Sequence, residues 1–189
     1  MPFERHDDAR HPAIVSCSNH IFERPGDWNP HIHQHGYWVV EEPSTYRPSP
    51  ELAFFLEHGE KPVYVGFGSM LDKADGAKVG HMVMEALALA GKRGILSGMN
   101  GLADVPDNII CVDNVPHTWL FPRMAAVCHH GGAGTSAAGF QAGVPSVIVP
   151  FALDQFALYV ILGFLRGGRI FEELQIELRN PQSGEIVGF

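Results

Sequence analysis

Short apolar runs alternate with segments of helical periodicity from residue 51 onward. Pro62–Phe67 is an uninterrupted apolar run, which is typical of a strand covered on both faces of a parallel sheet. Ala77–Ala90 then places apolar residues at helical spacing, and Gly91 ends the pattern. These segments predict a strand followed by a helix that packs against the sheet.

The same pattern repeats to about residue 155. Further strands are predicted at the apolar runs Gly94–Ser97, Asn108–Val112, Ala125–His129 and Ser146–Pro150. Further helices are predicted at Glu51–His58, at Thr135–Ala142 and from Asp154. This order favours right-handed crossovers, so we predict an α/β fold, a Rossmann-like open parallel sheet with helices on both faces. In such a sheet, ligands bind beyond the carboxyl ends of the strands.

The first 50 residues differ from the rest of the chain. They are rich in His, Pro and Trp and have little periodicity. Two apolar patches, Ala13–Val15 and Tyr37–Val40, predict short strands. We therefore separate a lead-in segment, residues 1–50, from an α/β domain, residues 51–189.

Charge and composition exclude several classes of protein. The formal net charge of −8 argues against a nucleic-acid-binding protein, which needs a basic face for phosphates. Met1–Arg10 lacks the apolar segment of a signal peptide, and Phe156–Leu165 is too short an apolar run to span a bilayer. The three cysteines form no CxxC pair, so neither a disulfide framework nor a thiolate zinc site is suggested. We expect a soluble, cytoplasmic protein.

Two glycine-containing segments that follow predicted strands are candidates for phosphate binding. Gly68 allows a tight turn after the first strand, and the hydroxyl of Ser69 suits a phosphate, although a purely structural turn is the alternative. The segment His130–Thr135 opens a helix, where bare amides and the helix dipole favour an anion. We expect Thr135 to be both N-cap and phosphate ligand. The alternative is a loop that needs glycine only for close packing.

Two residue pairs after neighbouring strands are further candidates. Asp154 and Gln155 offer acceptors and donors that suit sugar hydroxyls, although Asp154 alone also suits a helix N-cap. Val115 and His117 lie in a loop beside the phosphate-binding candidate and are positioned to meet a base, although His117 is equally well interpreted as a surface histidine.

A metal or triphosphate site has little support in the sequence. His31, His33 and His35 alternate, which would place three imidazoles on one face of a strand, but nearby acidic partners are few. We predict no metal site there. No Lys follows the glycines of His130–Thr135, so the segment is not a P-loop, and a nucleoside triphosphate with magnesium is disfavoured.

Several segments together resemble the UDP-glycosyltransferase superfamily with its two-domain GT-B fold, above all its sterol 3-β-glucosyltransferases and bacterial natural-product glycosyltransferases. The segments are RPGDW (24–28), GYW (36–38), PVYVGFGSM (62–70), NVPHTWLFPRMAAVCHHGGAGT (114–135) and AGVPSVIVPFALDQ (142–155). Their order and spacing both fit. The resemblance implies that residues 1–50 are the end of an N-terminal domain with the interdomain linker, and that residues 51–189 form the nucleotide-sugar-binding C-terminal domain.

The resemblance assigns a role to each candidate residue. The donor-binding residues that it implies are Gly68, Ser69, Val115, His117, His130, Gly132, Gly134, Thr135, Asp154 and Gln155. Val115 and His117 fall at the uracil, and Asp154 and Gln155 fall at the donor sugar. The remaining residues match the diphosphate-binding part of the family.

The resemblance also implies a reaction and its partners. A base deprotonates the acceptor hydroxyl, which attacks the anomeric carbon as UDP leaves, with inversion of configuration and with neither a metal nor a cofactor. The implied partners are a UDP-sugar, with UDP-glucose as the expected donor, and a sterol or other lipophilic alcohol. An N-terminal acceptor-binding domain, in cis or as a separate chain, completes the set, and any peripheral membrane contact would come through the acceptor.

The chain departs from the family pattern at several points. Ala138 stands where plant-type members carry a Glu that holds the ribose, as in sterol-type relatives. Plant-type members also stack a Trp on the uracil near Asn114, and this chain has no Trp at that position. The family's catalytic His belongs to the N-terminal domain, so the catalytic base stays unassigned. The resemblance fades after Gln155, which makes the C-terminal part atypical or truncated.

Two alternatives to a transferase domain stay open. One is a truncated, catalytically inactive nucleotide-sugar-binding module. The other is a UDP-sugar 2-epimerase-type domain, which is disfavoured because no Asp or Glu lies between Asp113 and Asp154.

Overall fold

The structure, a computed structural model, describes residues 12–38, 46–71, 75–99, 101–151 and 155. The chain divides into two compact units, Met1–Glu41 and Glu42–Phe189. The helix predicted from Asp154 and the apolar run Phe156–Leu165 lie outside the described residues, apart from Gln155.

The first unit contains a two-stranded parallel sheet. Strand β1 (Ala13–Ser16) pairs with β2 (Ile32–His35), with Ile14 opposite His33. The apolar patch at 13–15 therefore forms a strand, as predicted. Its partner is not the patch at 37–40, because residues 37 and 38 lie outside any strand and residues 39 and 40 lie outside the described ranges.

Arg24 closes the connection between the two strands. Its Nη2 donates to the carbonyl oxygen of Asn29 at 3.0 Å and to that of Trp28 at 3.3 Å. The amide of Ala13 then donates to the carbonyl oxygen of His31 at 3.1 Å, where the pairing begins. Hydrogen bonding in the connection therefore selects the segment that pairs, which apolar content alone does not reveal.

The second unit is built on a five-stranded parallel sheet in the order β5-β4-β3-β6-β7. Its strands are β3 (Val63–Gly66), β4 (Gly94–Ser97), β5 (Ile109–Val112), β6 (Ala126–His129) and β7 (Ser146–Ile148). Each strand lies within the apolar run that predicted it, and every neighbouring pair is parallel. The predicted Rossmann-like open sheet is confirmed.

Helices cover both faces of this sheet. The helices are α1 (Pro50–Glu57), α2 (Gly76–Leu89), α3 (His117–Leu120) and α4 (Ala133–Ala142). Side chains of β3 alternate between two cores, because successive residues of a strand point to opposite faces. Tyr64 packs with residues of α1, α3 and α4, whereas Val63 and Val65 pack with residues of α2. None of the described helices has the length and apolar content that crossing a bilayer requires.

Helix α3 and the 3-10 turn that follows it, Phe121–Arg123, were not predicted from the sequence. Four helical residues are too few for a periodic apolar pattern. Leu120 and Phe121 are nevertheless completely buried, so this short segment contributes to the core on the α1 side.

The strand order fixes the place where a ligand can approach. From β3 the chain proceeds outward through β4 to β5, and it then returns to β6 on the other side of β3. The connections after β3 and β6 therefore leave the sheet toward opposite sides and open a crevice at the carboxyl edge between them. The loops after β3 and β6 are the two that carry the candidate phosphate ligands.

Candidate functional site

The loops after β3 and β6 meet at the side chain of His130. Gly66 at the end of β3 is in register with His129 at the end of β6, so the two loops start side by side. Gly68 follows with φ of +56°, and a Cβ placed there would lie 3.3 Å from Cε1 of His130. The His130 ring therefore packs directly on the backbone of the first glycine loop.

The same ring also contacts the start of helix α4. A Cβ at Gly132 would lie only 2.5 Å from Nε2 of His130, which is closer than any side chain tolerates. Glycine is thus required at 132 for the imidazole to occupy its place. Two backbone segments from two different strands enclose one imidazole, which stands half-buried at the crevice.

Helix α4 begins earlier than the sequence pattern predicts. Its N-cap is Gly132, which has no side-chain cap, and its first helical residue is Ala133. The expectation that Thr135 is the N-cap is therefore wrong. Thr135 is the third residue of the helix, because the small residues before it adopt helical backbone without steric cost. Ala133 and Gly134 are exposed, and the first turn carries no acidic side chain.

One amide of the loop is already used within the protein. The N–H of Gly131 donates to Nδ1 of His129 at 3.1 Å, and Gly131 adopts φ of +89°. His129 is completely buried. Its burial, together with the nearby imidazoles of His130 and His117, lowers the pKa of His129 to about 4. Sequence reasoning missed this residue, although its position as the last residue of a buried strand was a signal.

His117 was predicted to lie in a loop, with a surface histidine as the alternative, but it lies in a helix and is partly buried. It is the first residue of α3 and is half-buried, and its Nε2 lies 3.2 Å from the hydroxyl of Tyr64. The imidazole stacks on the Phe121 ring with 4.5 Å between centroids. Burial and the nearby His130 lower its pKa, so the ring is neutral at physiological pH.

The other predicted base contact, Val115, is half-buried and packs against the core on the α1 side. Tyr64, which sequence reasoning did not select, is almost fully buried below the same corner, and burial raises the pKa of its phenol. His117 and Tyr64 are therefore in contact, and His130 lies close enough to His117 to affect its pKa.

Gln155 lies beside Gly131 of the candidate phosphate-binding segment His130–Thr135. Its side chain is 7% exposed, and its Oε1 accepts a hydrogen bond from the amide of Phe151 at 2.8 Å. A Cβ at Gly131 would lie 3.5 Å from Cβ of Gln155, so the two residues are in contact. Asp154 lies outside the described residues. Ser69 is exposed on the first glycine loop.

Comparison with known proteins gives the site a family context. Residues 93–159 match the family model of the erythromycin biosynthesis protein CIII-like, C-terminal domain. The chain is 45% identical over 148 residues to sterol 3-beta-glucosyltransferase UGT80A2 of Arabidopsis thaliana, an alignment that covers 76% of this chain and 23% of that protein. It is 42% identical over 168 residues to UGT80B1 of the same plant, with 86% and 26% covered.

A solved structure agrees with these sequence matches. The spinosyn forosaminyltransferase SpnP superposes with a TM-score of 0.62 over 83% of this chain and 40% of that one, at 16% identity, which supports the fold alone. The chain belongs to the UDP-glycosyltransferase superfamily. It carries a C-terminal domain of that superfamily and spans about a quarter of the length of these two plant sterol glucosyltransferases.

The three alternating histidines lie in the first unit of the chain. His33 and His35 are exposed on β2, whereas His31 precedes the strand and is half-buried. Across the described ranges, no cluster of three or more His, Cys, Asp or Glu side chains is arranged to hold a metal ion.

The crevice between β3 and β6 offers neutral hydrogen-bond donors. Exposed residues at the start of α4 present amides with the partial positive charge of a helix N-terminus. The His130 ring lies against Gly132 there, and Ser69 is exposed on the loop after β3. No Lys or Arg occurs in the sequence between Arg123 and Arg166. An anion in this crevice would therefore be bound by backbone amides, a hydroxyl and imidazole.

Proposed function

We propose that this domain binds the diphosphate of a UDP-sugar in the crevice between β3 and β6, as the donor-binding part of an inverting glycosyltransferase. The observation that carries the proposal is the position of His130. Its ring contacts Gly68 of one loop and Gly132 at the start of α4, so both loops converge on one point where amides are exposed. Such a point suits an anion with several oxygens.

The two ends of the crevice suit the two ends of the donor. Val115 and His117 lie beyond β5 and are proposed to meet the uracil. Asp154 and Gln155 follow β7 and are proposed to bind hydroxyls of the sugar. Gly134 and Thr135 on α4 lie between these ends in sequence, where the diphosphate would reach the bare amides of the first turn.

The proposed chemistry is a single displacement. The acceptor oxygen forms a bond to the anomeric carbon while the bond from that carbon to the UDP oxygen breaks, and the electron pair leaves with the diphosphate. The acceptor proton passes to a base that we do not assign in this chain. Helix-terminal amides and His130 stabilise the charge that develops on the leaving group, and no metal ion is part of the proposal.

The relatives suggest the substrates. Sterol 3-beta-glucosyltransferases from plants and fungi are similar to this chain, so we propose UDP-glucose as donor and a sterol or similar lipophilic alcohol as acceptor for the whole protein. A nucleotide-sugar-binding module without transferase activity is the alternative.

The experiment that tests the donor site is isothermal titration of the 189-residue chain with UDP. For His130→Ala we expect UDP affinity to fall by roughly ten- to a hundredfold, because a hydrogen bond to a charged group contributes about 1.5–3 kcal/mol. The matched control is His58→Ala. His58 is an exposed residue that caps α1 just before β3 begins, at the opposite edge of the sheet.

The outcomes separate the hypotheses. The control should bind UDP as tightly as the unmodified chain. Lack of UDP binding at millimolar concentrations by the unmodified chain would contradict the donor site. Because the acceptor base is not assigned in this chain, binding of UDP without transfer fits both hypotheses. Formation of a steryl glucoside from UDP-glucose and a sterol after addition of an N-terminal acceptor-binding domain would contradict the inactive module.

A further inference from the structure

His129, the buried histidine directly before the segment His130–Thr135, has no role in the proposed chemistry. His129 is completely shielded from solvent, yet it carries two polar ring nitrogens. Nδ1 accepts the amide proton of Gly131 at 3.1 Å, and Nε2 has no hydrogen-bond partner among the described residues. A buried polar group without a partner costs free energy, so a residue of this kind needs a compensating role.

The backbone of His129 is held on both sides. It is in register with Gly66 of β3 and with Ile148 of β7, and its carbonyl oxygen accepts the amide of Val149 at 2.9 Å. The ring therefore projects from a strand that pairs with neighbouring strands on both sides. A hydrogen bond from this ring holds whatever it contacts at a defined distance from the strand.

The group held by the His129 ring is the amide of Gly131, at the turn that leads from β6 into helix α4. Gly131 adopts φ of +89°, and a Cβ there would lie 2.8 Å from Cγ2 of Ile148. The hydrogen bond to His129 turns the amide of Gly131 toward the protein interior. The next two residues are more accessible, since Gly132 is half-exposed and Ala133 is exposed. The amides that face the crevice are thus those that follow Gly131.

We infer that His129 is a positioning residue for donor binding: its Nδ1 binds the Gly131 amide and so orients the following helix-terminal amides and His130 toward the diphosphate. The effect on UDP affinity rests on the proposed function, whereas the hydrogen bond between His129 and Gly131 does not. The imidazole can act in this way only when it is neutral, with its proton on Nε2, because a protonated ring donates from both nitrogens.

The geometry is testable in the unmodified chain without any ligand. In a 15N-labelled sample, nitrogen shifts of the His129 ring should show the proton on Nε2. A scalar coupling across the hydrogen bond should connect Nδ1 with the Gly131 amide nitrogen, and that amide should exchange slowly with deuterium. A ring protonated on Nδ1, or a rapidly exchanging Gly131 amide, overturns the inference.

The consequence is tested with two substitutions at one position. His129→Leu removes the acceptor and keeps a side chain of similar bulk, whereas His129→Asn retains an oxygen that can accept the Gly131 amide. We expect UDP affinity to fall by about five- to tenfold in the Leu variant and by less than about threefold in the Asn variant.

A control and a second readout distinguish positioning from general stability. Ser136→Ala changes another completely buried polar side chain, whose hydroxyl has no partner among the described residues, and it should leave UDP affinity unchanged. Equal loss of affinity in the Leu, Asn and Ser136→Ala variants would contradict the inference. If the unmodified chain binds no UDP, the proposed function fails, while the Gly131 measurements still decide the positioning of the loop.

Discussion

At the scale of single residues, the glycines of the site meet different steric demands. Gly68 and Gly131 adopt positive φ, which side chains with a Cβ rarely do. Gly132 has an ordinary backbone conformation and is needed because the His130 ring fills the space where a Cβ would be. Gly134 has open space around it, so its exposed amide, rather than packing, is the feature that a ligand would use.

The buried imidazole of His129 predicts a loss of stability in mild acid. Its pKa falls from the ordinary value of 6.5 to about 4 in the folded chain. Between these values the unfolded state binds more protons, so the free energy of unfolding decreases as the pH decreases through this window. The contribution is on the order of 3 kcal/mol and is fully present well above pH 6.5.

Urea denaturation at pH 7 and pH 4.5 measures this effect. His129→Asn should lose less stability between the two pH values than the unmodified chain, because the variant has no imidazole to protonate at that position. His117 contributes with the same sign in both chains, since burial also lowers its pKa. An identical pH dependence in the two chains would mean that His129 is not buried in its neutral form.

At the scale of elements, a glycine allows helix α2 to lie close to the connection between β4 and β5. Helix α2 carries Gly80 on its buried face, and a Cβ there would lie 2.6 Å from Cδ2 and 3.0 Å from Cγ of Leu102. Leu102 belongs to the connection between β4 and β5 and packs against the core on the α2 side. The glycine therefore lets this connection lie directly on the helix.

Gly80→Ala should destabilise the domain by about 1–2 kcal/mol, because overpacking outweighs the better helix propensity of alanine. Gly134→Ala is the matched control for stability. It makes the same change in helix α4, where no atom lies within 4 Å of the new Cβ. Its free energy of unfolding should stay constant or increase by up to about 1 kcal/mol. A Gly80→Ala variant as stable as this control would contradict the packing argument.

At the scale of the whole molecule, the order of strands brings distant segments together. Residues 66–69 and 129–135 lie about sixty positions apart in the sequence and become neighbours because β3 and β6 pair in register. The chain as a whole carries a formal charge of −8. The proposed binding of an anionic donor therefore relies on local amides and imidazole rather than on the field of the entire protein.

UDP should stabilise the whole domain without a metal. At a concentration of 100 times the dissociation constant, the ligand adds about 2.7 kcal/mol to the free energy of unfolding. Thermal denaturation should therefore shift upward with UDP, equally with EDTA or with magnesium. Uridine, which lacks the diphosphate, should give a much smaller shift. A requirement for magnesium would contradict the proposed amide-based site.

The sequence by itself determined the type and order of the main elements. Uninterrupted apolar runs such as 62–67 indicate strands buried on both faces, and the positions of Gly68 and His130 directly after such runs indicate the ligand edge of the sheet. Local pattern suffices for these conclusions, because burial on two faces and helix periodicity leave their mark on consecutive residues.

Only the tertiary structure decided which residues lie together at the candidate site. Pairing of β3 with β6 places the His130 ring against two loops, and burial makes His129 a neutral acceptor for Gly131. The helix start at Ala133 and the partner of β1 likewise depend on hydrogen bonds and contacts beyond the local pattern. The sequence carries no periodic pattern that reports the distance between segments far apart in the chain, because such distances arise from the packing of the whole sheet.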